Sequence, residues 1–145
     1  MIFLPPFSAP ATLSSVPRKL IDATFDNDHN VILMKIGGDL TVTELVEGYE
    51  DIFRHESFKP NMHAIWDLSA LNLRQYSLTE IRQLAGELRQ FTARRGDDYK
   101  AALVTNRGTD FQLLRLYLTI LKLIGSNITF RLYRSLDEAY TWIGS

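Results

Sequence analysis

The pattern Ser/Thr-x-x-Glu occurs at three places in the chain, and each copy stands directly before an apolar stretch with helical spacing. In this capping box the hydroxyl side chain bonds the backbone N–H of the third helical residue, and the glutamate bonds the N–H of the capping residue. Behind each copy, apolar residues recur at the spacing of a helix that buries one face. The pattern predicts three helix starts: Thr41 with Glu44, Ser77 with Glu80, and Ser135 with Glu138.

Apolar, partly β-branched runs separate these helices and predict five strands, over 20–25, 31–36, 63–68, 101–104 and 128–133. A fourth helix, over 109–124, precedes the last strand. The turn Asp26-Asn27-Asp28 is so short that the first two strands must form an antiparallel hairpin. The later strands alternate with helices, which is typical of parallel pairing through right-handed crossovers. We expect an α/β domain with a five-stranded mixed, mainly parallel sheet, an antiparallel first edge strand and four covering helices.

The length of 145 residues fits a single domain. Prolines concentrate in residues 1–18, so we expect an extended N-terminal arm there and the α/β domain over 19–145. The chain has no cysteine, which excludes a disulfide framework and a thiolate metal site and is compatible with the cytoplasm, the location we predict. With a net charge of −1 and no apolar run long enough to span a membrane, we expect neither nucleic acid nor a membrane as partner.

Polar residues follow the predicted parallel strands at their carboxyl ends, where open α/β sheets bind ligands. This rim contains Asp67, Ser69, Asn106, Arg107 and Ser135. Such a set can hold a small polar or anionic ligand. The alternative, which we favour, is that these are the loop and capping residues that every α/β domain carries at this edge.

Asp67 is the strongest candidate for catalysis because its carboxylate ends an apolar strand. A general base needs a partner held nearby, and the spacing assigns none, so we expect Asp67 to hold the next loop through backbone N–H groups. The three histidines match no metal-binding spacing, and the chain has no phosphate-binding loop or nucleophile elbow. We therefore expect no catalytic residues, no metal and no cofactor, that is, a protein that is not an enzyme.

A basic stretch contains Arg89, Arg94, Arg95 and Lys100, offset by neighbouring acidic residues. We interpret it as a solvated helix end, where the helix dipole favours cations, with Gly96 as the left-handed cap.

The helix over 109–124 has two apolar stripes, although a helix that covers a sheet needs only one. The second stripe consists of Leu113, Leu116, Tyr117, Ile120, Leu123 and Ile124. A neighbouring helix, a second subunit, the N-terminal arm or an apolar ligand would cover it. We favour a homodimer or the arm. A cavity between this helix and the sheet would instead favour a ligand carrier.

The chain as a whole resembles the SpoIIAA-like family, within the STAS and CRAL-TRIO-like folds. The stretches that carry the resemblance are Ile36-Gly37-Gly38-Asp39-Leu40-Thr41 with Glu44-Leu45, Phe58-Lys59-Pro60-Asn61-Met62 leading to Ala64-Ile65-Trp66-Asp67-Leu68-Ser69, Arg115-Leu116-Tyr117, Phe130-Arg131-Leu132-Tyr133, and Ala139-Tyr140-Thr141-Trp142-Ile143.

The resemblance implies sequential strand order and a non-enzymatic binding or regulatory role through protein contacts. In the anti-sigma-factor antagonists of this group a kinase partner phosphorylates a serine at the position near Ser77. The local sequence Gln75-Tyr76-Ser77-Leu78 lacks their Asp-Ser-Ser-Gly turn, which favours a plain capping role for Ser77. By analogy with the CRAL-TRIO relatives, the alternative function is a carrier of a small apolar or lipid-like ligand.

Overall fold

The computed structural model describes residues 21–122 and 128–145. The predicted arm over 1–18 therefore lies outside the described residues, and so do Leu123 and Ile124. The strands are β1 Asp22–Asp26, β2 Val31–Gly38, β3 His63–Leu71, β4 Lys100–Val104 and β5 Thr129–Tyr133, and the helices are α1 Val42–Ile52, α2 Leu78–Leu88, α3 Thr92–Arg95, α4 Gly108–Leu121 and α5 Leu136–Ile143.

The five strands form one sheet in the order β1-β2-β3-β4-β5, with β1 antiparallel to β2 and the other pairs parallel. This confirms the predicted sheet. The one-turn helix α3 continues α2 through a 3-10 turn at Arg89–Phe91, so the two together correspond to one of the four predicted helices. Strands β2 and β3 extend further than predicted because their pairing resumes after an irregularity, at Gly37 with Ala70 and Gly38 with Leu71.

The helices are unequally divided between the two faces of the sheet. Strands that follow one another in order through crossovers of one hand must carry all their crossover helices on one side. Accordingly α1, α2 and α4 pack on the same side as Met34, Trp66 and Leu103, which we call the three-helix face. Helix α5 follows the last strand and packs on the other side, the α5 face, where Ala139 and Ile143 meet the sheet.

The helix starts follow the capping prediction at two of three places. Thr41 and Ser77 each accept the N–H of the glutamate three residues on, and each glutamate accepts the N–H of its cap, so both boxes are complete. At α5, Ser135 accepts the N–H of Glu138, but the Glu138 carboxylate accepts the N–H of Arg134 instead of that of Ser135. The third box is therefore only half formed.

The end of α5 is tied to the sheet by Lys100 at the start of β4. Its ammonium donates to the carbonyl oxygens of Trp142 at 3.0 Å, Ile143 at 3.3 Å and Ser145 at 2.9 Å. A cation at this end also complements the helix dipole. Lys100 therefore fixes α5 across the sheet instead of lying on the solvated face that the sequence suggested.

Candidate functional site: an apolar cavity with a buried arginine

A cavity of about 110 Å³ lies on the three-helix face, between the sheet and helices α1, α2 and α4. Its wall is almost entirely apolar and aromatic, and it includes Trp66 and Leu103 from the sheet and Tyr49, Leu84 and Leu114 from the three helices. An apolar cavity of about 150 Å³ is large enough to hold benzene. This cavity is about a quarter smaller, so it has room for a short aliphatic chain or, with small shifts of its wall, for a single aromatic ring.

The sequence of β4 leaves this space open. Ala101 lines the cavity and pairs with Ala64 on one neighbouring strand and with Phe130 on the other. The short side chain of Ala101 leaves the floor shallow, whereas the helices above carry leucine and tyrosine side chains. Since protein interiors are otherwise close-packed, a gap of this size weakens the fold and needs a reason.

Arg95 is the charged residue in the cavity wall. It is 2% exposed, and its three guanidinium nitrogens, Nε, Nη1 and Nη2, have no hydrogen-bond partner. The guanidinium carbon lies 3.8 Å from the centre of the Tyr99 ring, a cation–π contact that offsets part of the cost of burial. Its hydrogen-bonding edges remain available, because this contact occupies one flat side of the group.

Backbone geometry next to Arg95 holds it in this place. The carbonyl oxygen of Arg95 accepts the N–H of Asn61 at 2.9 Å, and the Asn61 side chain accepts the N–H of Asp98 at 3.0 Å. Gly96 has a φ of +93°, and a Cβ atom there would lie 2.1 Å from Asn61 Oδ1. Only glycine fits this position, so the chain turns sharply and leaves the arginine on the inside.

Tyrosines supply the other polar groups of the wall. Burial raises the pKa of Tyr49, while the positive charge of nearby Arg95 acts in the opposite direction. The hydroxyl of Tyr76 donates to the carbonyl oxygen of Leu40, and that of Tyr117 donates to the carbonyl oxygen of Tyr76 at 2.7 Å. Burial also raises the pKa of Tyr76 to about 12, so these phenols stay neutral and provide no counter-charge for the arginine.

The interpretation of Arg95 as part of a solvated helix end is wrong. Its neighbour Arg94 does fit that interpretation, since it is exposed and lies 3.7 Å from Glu50. A sequence signal for the difference existed: Leu84, Leu88, Phe91 and Arg95 follow one another at four, three and four residues, which places the arginine on the buried stripe. The missed residues Arg95, Tyr49 and Tyr99 form the polar end of the cavity.

The structure brings four of the five predicted rim residues together. Asp67 Oδ1 accepts the N–H of Ser69 at 3.1 Å, Ser69 Oγ accepts the N–H of Asn106 at 3.1 Å, and Arg107 donates to the carbonyl oxygen of Ser69 at 3.2 Å. Ser135 stands apart and caps α5. The rim groups bond one another, and Asp67 holds the following backbone, as the favoured alternative expected.

An ion-pair cluster that the sequence did not suggest extends this rim. Asp110, which is buried at the start of α4, lies 3.1 Å from Arg107 Nε and 3.7 Å from Arg74 Nε. Two cations compensate the carboxylate, and the cluster joins α4 to the loop after β3. We interpret it as a structural link at the helix start.

The second apolar stripe of α4 divides between core and surface. Tyr117 is buried, Leu113 and Ile120 pack partly against the core, and Leu116 is 48% exposed. Tyr117 therefore presents no surface to a partner. Ser77 is exposed, and its hydroxyl accepts the N–H of Glu80 as the cap of α2.

Within 21–122 and 128–145, no cluster of three or more potential metal-ligating side chains occurs. Nor does any helix in those ranges have the length and apolar character needed to cross a membrane.

Comparison with known proteins yields no relative: no family model, no curated protein and no solved structure matches the chain. The resemblance to the SpoIIAA-like family therefore stays a prediction, and the cavity is the strongest guide to function.

Proposed function

We propose that this domain binds a small, largely apolar molecule in the cavity on the three-helix face. The single observation that carries the proposal is an apolar space of about 110 Å³ lined by the sheet and by helices of the same domain. It lies where the carrier hypothesis requires a cavity, between the long apolar helix α4 and the sheet. A binding role without catalysis is consistent with the rim, where Asp67, Ser69 and Arg107 make hydrogen bonds that hold the local backbone.

The other function that the sequence favours, a regulatory module acting through protein contacts as a homodimer, is supported by one observation. Leu116 projects from α4 with about half of its side chain exposed. A single exposed leucine is ordinary on a protein surface, whereas an apolar cavity between the helices and the sheet is uncommon in a close-packed interior. We therefore place ligand binding first. A cytoplasmic location and membership of the SpoIIAA-like family fit either function.

The experiment is a calorimetric titration of the full chain with benzyl alcohol, a neutral probe that has one ring. We expect saturable one-to-one binding to the wild type and its loss in Ala101→Leu, because the larger side chain fills the floor of the cavity. The matched control is Leu116→Ser on the outer side of α4, which should bind as well as the wild type.

Two outcomes would count against the proposal. Binding that persists unchanged in Ala101→Leu would place the probe outside the cavity. No binding, together with a dimer that Leu116→Ser converts to a monomer, would favour the protein-contact function instead. Native mass spectrometry of protein purified from its own cells adds an independent observation: a reproducible retained mass of small-molecule size is the expected result.

A further inference from the structure

We infer that the ligand of this cavity carries a carboxylate, which pairs with Arg95 while its apolar part fills the space beside Trp66 and Leu103. This inference rests on the proposed function and specifies the chemical class of its ligand. The observation behind it is separate from the cavity's volume: a guanidinium that is 2% exposed lines the cavity and lacks partners at all three nitrogens.

Arg95 lacks the ion pair or hydrogen bonds that buried charges in proteins normally make. Buried charges are paired or fully hydrogen-bonded, because removing an ion from water costs several kcal/mol. None of the ion pairs among the described residues includes Arg95, although Arg94 beside it is paired with Glu50. The contact with the Tyr99 ring supplies only part of the missing stabilisation. An anion that enters the cavity would supply the rest.

The geometry of the guanidinium selects the kind of anion. Its N–H groups lie in one plane and form a fork that matches the two oxygens of a carboxylate. Tyr99 lies against a flat side of the group and does not use the N–H groups in that plane, none of which has a hydrogen-bond partner. The Tyr49 side chain lies close enough to Arg95 for the two to interact, but it makes no hydrogen bond of acceptable geometry to the guanidinium and so leaves its charge unbalanced.

Charge balance argues for a carboxylate over a phosphate. Arg95 brings one positive charge into a wall that is otherwise apolar or phenolic. A carboxylate cancels that charge, whereas a phosphate monoester brings close to two negative charges at neutral pH and would leave a surplus in an apolar space. The ligand class that fits is a small monocarboxylate with an aromatic or short aliphatic body.

The test compares benzoate with benzyl alcohol, two probes that share a ring and differ in the charge of the head group. We expect the wild type to bind benzoate at least about tenfold more tightly than benzyl alcohol, the gain typical of a charge-assisted hydrogen bond. In Arg95→Met the affinity for benzoate should fall to that for benzyl alcohol or below, so that the preference for the charged probe is lost. Phenyl phosphate should bind more weakly than benzoate.

The matched control is Arg94→Met, which removes an adjacent arginine that lies outside the cavity and should leave benzoate binding unchanged. A second measurement does not need a variant: the Arg95 Nε resonance of the wild type should shift on adding benzoate and stay in place with benzyl alcohol. This keeps the inference testable if Arg95→Met fails to fold.

The outcomes separate the two proposals. Equal affinity for benzoate and benzyl alcohol, with both lost in Ala101→Leu, would overturn the carboxylate assignment and leave the apolar cavity function intact. Failure of both probes to bind would overturn the proposed function itself. Tighter binding of phenyl phosphate than of benzoate would replace the carboxylate by a phosphate.

Discussion

The two faces of the sheet differ in how closely the helices pack against them. On β4, Ala101 points to the three-helix face and Ala102 to the α5 face, and both are buried, at 1% and 0% exposed. On the α5 face, Ala102 belongs to the same buried cluster as Ala139 of α5, and the helix packs against β4 with short side chains on both elements. On the three-helix face, the equally short Ala101 forms the floor of a cavity. Small residues therefore give close packing on one face and open space on the other.

This difference indicates which face serves stability. A cavity and an unpaired buried cation both reduce the free energy of unfolding, and both occur on the three-helix face. The corresponding cation near the α5 face, Lys100, donates to three carbonyl oxygens at the end of the helix. We infer that the α5 face is built for packing, and that the three-helix face gives up some stability for binding.

The largest expected effect comes from the same substitution on the two sides of β4. Ala102→Leu should lower the free energy of unfolding by about 3 kcal/mol, at the upper end of overpacking costs, because the added carbons meet α5. Ala101→Leu should change it by less than about 1 kcal/mol, because the cavity accepts the same carbons. Chemical denaturation of both variants checks the difference, and equal losses would mean that the faces are packed alike.

The next effect concerns the turn that places Arg95 inside. Gly96→Ala should lower the free energy of unfolding by about 2 kcal/mol, because the residue has a positive φ and the new Cβ would overlap Asn61. The matched control is Gly86→Ala in α2, where an added Cβ meets no atom within 4 Å. That variant should be more stable by about 0.5–1 kcal/mol, as expected for alanine in a helix.

Gly96→Ala should affect the three-helix face and leave the α5 face unchanged. It should weaken benzoate binding, because the carbonyl of Arg95 is bonded to Asn61 in the same turn. Lys100 and α5 should keep their contacts. Similar stability of the two glycine variants would contradict the role that we assign to this turn.

The general architecture was predictable from sequence because local signals determine it. The capping pairs at Thr41 and Ser77 marked helix starts, and the alternation of strands and helices indicated a mainly parallel sheet. The cavity was not predictable in this way, since it depends on how far apart the sheet and three helices settle. The position of Arg95 was only partly predictable. Its helical spacing from Leu84 and Phe91 placed it on the buried stripe, but its charge favoured the surface.

The smallest expected effect is a change in the pKa of His63. This residue lies near Arg95 of the three-helix face and near Lys100, which holds the end of α5. His63 opens β3, and its Nδ1 accepts the N–H of Lys100 at 3.0 Å. Partial burial lowers the pKa of His63, and the positive charges of Lys100 and Arg95 lower it further, against the opposing effect of Asp98. The folded protein therefore favours the neutral imidazole more than the unfolded chain does.

The sign of the pH dependence follows from this lowered pKa. As the pH falls below the ordinary histidine pKa of 6.5, the unfolded chain binds a proton before the folded protein does. The contribution of His63 to the free energy of unfolding is therefore complete above pH 6.5 and is lost as the pH falls through the lower pKa of the folded state. Histidine titration by NMR should show His63 below its ordinary value. Benzoate and Arg95→Met should both raise the pKa of His63, because the bound carboxylate compensates the positive charge of Arg95 and the substitution removes it. Arg94→Met should leave that pKa unchanged. A His63 pKa that ignores benzoate while benzoate binds would mean that the carboxylate does not reach Arg95.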